Sequence, residues 1–140
     1  MTDKSNEVVI VSAIRTPIGS YKGSLKDISS HQLGSIVIKE VLKKSKFAKD
    51  EIDEVIFGQV LTAGVGQNPA RQAAINAGIP ISKPAHVINQ VCGSGLRAVI
   101  SGYQSIKLGD SLNVISGGQE NMSIAPHSIF FRDQKKNFRR

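Results

Sequence analysis

The sequence has only one cysteine, Cys92, so no disulfide can form within its 140 residues. That cysteine and the three histidines make no cluster with metal-ligand spacing, which excludes a structural zinc site. No apolar run approaches the roughly 18 residues that a membrane span needs. The opening residues Met1-Thr2-Asp3-Lys4-Ser5-Asn6-Glu7 are polar and show neither a signal-peptide pattern nor an Arg/Ser-rich transit segment, which points to the cytoplasm. The length suits one small domain and is too short for a two-domain enzyme. With 40% hydrophobic and 21% charged residues, a packed core is expected rather than disorder.

The formal charge of +7 invites a nucleic-acid reading, but its distribution argues against one. Residues 132–140 hold five bases and one acid, a net +4, which leaves +3 for the other 131 residues. The only other basic cluster, Lys43, Lys44, Lys46 and Lys49, falls at the end of an expected helix, where the macrodipole favours cations. No nucleic-acid-binding module accompanies the charge.

Short β-branched runs alternate with amphipathic stretches. Val8–Ala13 is a continuous apolar run, as in a strand buried on both faces. A helix is expected from Ser30, with Ser29 as its cap, Gln32 completing a capping box and Ile28 stapled onto Leu33. Leu33, Ile36, Val37 and Val41 form its expected core stripe, and it fades near Lys46. Residues 54–61 read as a second strand. Asn68 caps a short helix through Ala77, with Pro69 in its first turn and Gly78 as its stop. Residues 84–91 read as a third strand. A helix follows with Leu96, Val99, Ile100, Tyr103 and Ile106 on one face and Gly109 at its end, and residues 112–116 read as a fourth strand. The order β-α-β-α-β-α-β implies an α/β fold with a mainly parallel sheet.

Cys92 stands between the third strand and a glycine-rich helix start, Gly93-Ser94-Gly95. The free N–H groups and positive dipole end of a helix's first turn stabilise a thiolate, and flanking glycines let a carbonyl approach the backbone. Two readings stand side by side: a nucleophile presented at a strand-to-helix corner, and a small buried hydrophobe. A nucleophilic cysteine needs a base. His31, His86 and His127 are available, and none has a spacing that marks it for that role. Gly64-Val65-Gly66-Gln67-Asn68-Pro69 is no dinucleotide fingerprint, since proline replaces the third glycine, and its glycines read as turn residues. Glu120, at the end of the fourth strand, reads either as a ligand-site acid or as a turn brace.

Five segments in order resemble the N-terminal part of the thiolases, most of all the biosynthetic acetyl-CoA acetyltransferases. They are Ile10–Gly19, Val55–Leu61, Ala63–Gln72, Asn89-Gln90-Val91-Cys92-Gly93-Ser94-Gly95-Leu96 and Gly117-Gly118-Gln119-Glu120-Asn121-Met122-Ser123. The resemblance implies a thiolase-like layered fold with an incomplete N-terminal half over residues 1–129, and a divergent basic tail over 130–140. It implies that Cys92 attacks an acyl-CoA thioester and carries the acyl group, while its backbone N–H helps hold an oxyanion. It also implies Claisen condensation of two acetyl-CoA to acetoacetyl-CoA, reversible as thiolysis. No metal or prosthetic group is implied, because CoA enters as part of the substrate. Full-length relatives are dimers or tetramers, with the strand before the cysteine near their dimer contact and the Gln67–Gln72 segment near a neighbouring subunit.

The family's Gly-His-Pro motif and its second catalytic cysteine do not occur here. The CoA-binding loop domain and the last strand of the N-terminal half lie beyond the matched segment. The expectation is therefore that these 140 residues alone do not turn over and that apolar surface is exposed. The competing expectations are a truncated or frameshifted non-catalytic chain and part of a longer-chain 3-ketoacyl-CoA thiolase.

Overall fold

In the computed structural model, which describes residues 7–129, the first regular element is helix α1, Ser30–Ser45. It starts where its capping residues dictate. The Gln32 N–H donates to the Ser29 hydroxyl, and the Ser29 N–H donates to Gln32 Oε1 at 3.0 Å. It ends at Lys46 in a left-handed conformation, with Lys43 and Lys44 in its last turn. Strand β1 (Glu54–Gly58), helix α2 (Pro69–Ala77), strand β2 (Ala85–Ile88), helix α3 (Ser94–Leu108) and strand β3 (Val114–Gly118) follow, with short 3-10 turns at Lys49–Glu51 and Met122–Ile124. The expected basic tail, residues 130–140, lies outside the described residues.

The sheet has the order β2-β1-β3 and is wholly parallel. β1 is central, and Val55 through Gly58 are buried, as a strand covered on both faces requires. Val55 and Phe57 face α1 and α2, where Ile38, Leu42 and the alanines Ala70, Ala73, Ala74 and Ala77 complete the main core. Those alanines recur at i, i+3, i+4 and i+7, so α2 presents one small apolar face that lets it lie close to α1 and the sheet. Gly58, on the opposite side of β1, lies against α3: a Cβ there would stand 2.3 Å from the carbonyl carbon of Ser94. The layers are therefore α1 and α2, the sheet, and α3.

Three expectations are corrected. Val8–Ala13 joins no ladder, so the sheet has three strands among the described residues rather than four. A ladder needs a neighbour about 4.8 Å away. Here a cavity of about 750 Å³ is bounded by that run on one side and by β3, α1 and α3 on the others. In α1 the buried line is Gly34, Ile38 and Leu42, and the expected Val37 packs half-buried against that core; Ile36 is instead exposed, and Leu33 and Val41 line this cavity. In α3 the positions buried against the sheet are Ser94, Ala98 and Gly102, while of the expected core face Leu96 is 70% exposed and Val99, Ile100, Tyr103 and Ile106 line the same cavity. The reason is steric: a Cβ on Gly102 would come 2.3 Å from the Ser116 hydroxyl, so only the small-residue face fits the sheet.

Candidate functional site

The carboxyl ends of the three parallel strands converge on one edge of the sheet, where open α/β folds place their ligand sites. Cys92 occupies the corner between β2 and α3 and is exposed, which overturns its reading as a buried hydrophobe. Gly93 serves as the N-cap of α3 without a side-chain cap, so the first turn meets Cys92 with backbone alone. A Cβ on Gly93 would find only the Gln90 carbonyl oxygen within 4 Å, at 3.3 Å, which leaves this stretch of backbone open to a ligand.

The corner is tied on both sides. Asn89 Nδ2 donates to the Val60 carbonyl at 3.2 Å, joining the end of β2 to the segment after β1. Glu120 Oε2 accepts from the Val60 N–H at 2.7 Å and the Leu61 N–H at 3.3 Å, joining the end of β3 to the same segment. Val60 is thus held through its carbonyl by one neighbour and through its N–H by the other. Of the two readings of Glu120, the geometry favours the brace. Behind it, buried Gln119 donates through Nε2 to Gln59 Oε1 at 2.9 Å and to the Pro69 carbonyl at 3.1 Å. Asn121 Nδ2 meets the carbonyls of Leu25, Lys26 and Ile28, which anchors the loop ahead of α1.

The histidines do not gather at this edge. The His31 ring lies 3.1 Å from the Ser29 hydroxyl in the first turn of α1. His86 Nδ1 is 3.2 Å from Glu54 Oε1, at the start of β1 and so at the other end of the strands. His127 is exposed in the segment after the last 3-10 turn. None shares a hydrogen bond with Asn89–Gly95 among the described residues, so the corner carries a thiol without a local base. Among the described residues no group of three or more His, Cys, Asp or Glu could hold a metal ion. The Gly64–Pro69 loop is a turn, as its glycines suggest: Gly64 and Gly66 have φ of 71° and 81°, and Gln72 Nε2 donates to the Val65 and Gln67 carbonyls.

Sequence reasoning placed Cys92 at this corner and missed its supports. Asn89 and Ser94 were visible only as members of a motif: the Asn89 bond to Val60 depends on the fold bringing strand ends together, while the Ser94 bonds to Gln90 and Val91 are local to the corner.

The family profile described as "Thiolase, N-terminal domain" matches residues 8–137. The chain is 55% identical over 136 residues to the cytosolic acetyl-CoA acetyltransferase of Rattus norvegicus, covering 97% of this chain and 34% of that protein. It is 54% identical over 121 residues to the acetyl-CoA acetyltransferase of Pseudomonas aeruginosa, covering 86% and 31%. Over 123 residues it is 56% identical to that of Cupriavidus necator, covering 88% and 31%. The chain spans about a third of the length of the curated relatives it matches.

Proposed function

The chain belongs to the thiolase family, as its N-terminal domain, and from that premise we propose that it supplies the acyl-accepting cysteine of an acetyl-CoA acetyltransferase. The observation that carries this reading is the exposed Cys92 at the β2–α3 corner, inside the Asn89–Leu96 motif. The Cys92 thiolate attacks the thioester carbonyl of acetyl-CoA. The tetrahedral adduct expels the CoA thiolate, which takes up a proton, and the acetyl group remains as a cysteine thioester. Its developing oxyanion is met by the Cys92 backbone N–H, since the Gly93 and Ser94 N–H groups already donate to the Gln90 and Val91 carbonyls. A second acetyl-CoA then loses a methyl proton, its carbon attacks the acetyl carbonyl, and the Cys92 thiolate leaves as acetoacetyl-CoA forms. Thiolysis is the reverse.

Only the nucleophile is assigned to this chain. The base that activates it and the acid/base for the methyl proton are roles of the Gly-His-Pro motif and the second cysteine, which these residues do not contain. In the whole protein we place the reaction in the cytosol and in a dimer or tetramer, with residues 1–129 as the partial domain and 130–140 as a divergent tail. Among the described residues no helix is long and apolar enough to cross a membrane.

The test is a chimera in which residues 8–137 replace the matching third of the Cupriavidus necator relative. The chimera is expected to cleave acetoacetyl-CoA with free CoA, and Cys92→Ser is expected to lower kcat by about a thousandfold or more. A folded chimera whose Cys92→Ser variant keeps its activity would overturn the proposal.

A further inference from the structure

Val91, the residue before Cys92, has φ of 50°, a left-handed backbone in a β-branched residue. Such a conformation is costly for valine and persists only where the surroundings impose it. The surroundings here are four hydrogen bonds on the two peptide groups that flank Val91. The Val91 N–H donates to Asn89 Oδ1 at 3.1 Å, and the Gly93 N–H donates to the Gln90 carbonyl at 3.1 Å. The Val91 carbonyl accepts from the Ser94 N–H at 3.1 Å and from the Ser94 hydroxyl at 2.6 Å.

The same hydroxyl accepts from the Gln90 N–H at 2.8 Å. Ser94 Oγ therefore spans the strained residue, with its proton on the far side and its lone pair on the near side. Ser94 is only 4% exposed, so water competes little for either bond. It cannot drift, because its backbone is pressed against Gly58 of β1, where even a Cβ would stand 2.3 Å from it.

We propose that Ser94 is the positioning residue of the nucleophile: its hydroxyl holds Val91 left-handed, and that fixes the direction in which Cys92 leaves the strand. This rests on the proposed role of Cys92 and deepens it. Ser94 itself takes no part in bond making. Without the hydroxyl, Val91 is expected to relax towards the extended region that valine prefers and to turn the Cys92 peptide with it.

Three variants of the full chain test this: Ser94→Ala, Val91→Gly and the double variant. The first readout is the Cα and Cβ chemical shifts of residue 91 in Ser94→Ala, expected to move from a left-handed to an extended pattern. The second is the rate at which acetyl-CoA acetylates Cys92, followed by intact mass. Ser94→Ala is expected to slow acetylation about ten- to a hundredfold, as a displaced nucleophile would. The double variant is expected to recover to within about threefold, because glycine adopts positive φ without cost. If Ser94 merely stabilised the fold, the added glycine would make the double variant worse than the single one. Unchanged shifts in Ser94→Ala, or a double variant no faster than the single, would overturn the proposal. A parent chain that takes no acetyl group would instead count against the role of Cys92, and the shifts would still decide the role of Ser94.

Discussion

On one face of the sheet, Val55 and Phe57 lie under α1 and α2, closed in by Ile38, Leu42 and four alanines. On the other face α3 sits on β1 and β3 through Ser94, Ala98 and Gly102, which leaves Leu96 exposed and Ile100 and Tyr103 along the open cavity. Beyond β3 the run Val8–Ala13 lies free of any ladder, with Ile10 80% exposed. Both regions carry apolar side chains, and their fates are opposite. What separates them is the fit of small residues: the alanine face of α2 and the glycines of α3 decide which side approaches the sheet, and the larger apolar side chains go where that leaves them. Apolar periodicity alone therefore marks a face without saying what it packs against.

Substitutions on the two faces give the contrast its sharpest form. Phe57→Ala, at a position 2% exposed, removes the largest buried side chain of the closed face and is expected to cost about 3–5 kcal/mol in urea unfolding. Asn68→Ala comes next. Its amide caps α2 through the Arg71 N–H and also donates to the Ala85 carbonyl at 2.8 Å, so losing both is expected to cost about 1–2 kcal/mol.

Asp53 gives a smaller, pH-dependent effect. Its carboxylate accepts from the N–H groups of Asn113 and Leu112, which hold its pKa below the ordinary carboxylate value, with Lys83 3.5 Å away assisting and burial opposing. A carboxylate depressed in the folded state stabilises above its unfolded pKa of about 4, and that stability is lost as pH falls through the folded value. Urea midpoints measured from about pH 6 downward should drop in this acid window in the parent. They should drop less in Asp53→Asn. The smallest effect belongs to the open side: Ile10→Ser or Tyr103→Ser is expected to change stability by less than about 0.5 kcal/mol and to reduce binding of an apolar dye. A loss near that of Phe57→Ala would erase the distinction between the two faces.

The legible parts of the chain were those governed by local chemistry. The Ser29 capping box, the Asn68-Pro69 start, the Gly78 and Gly109 stops and the central strand are set by residues within a few positions of one another. Cys92 at a strand-to-helix corner was legible for the same reason. The unpaired Val8–Ala13 run and the choice of which α3 face meets the sheet depend on what lies across it, which no local pattern records. The braces of the site belong to this second class. Glu120 and Val60 are sixty residues apart, and Asn89 and Val60 are twenty-nine, so their meeting follows from strand order rather than spacing.

The central claim is that this corner makes Cys92 an acyl acceptor, and labelling of the full chain tests it most directly. The labelling is run at mildly alkaline pH, so that no base from another segment is needed. Acetyl-CoA added to the folded chain should then leave one acetyl group on Cys92 and release one CoA, at least about tenfold faster than in the same chain unfolded in urea. Equal rates in the folded and unfolded chains would contradict the account, because the corner would then contribute nothing to the chemistry of its cysteine.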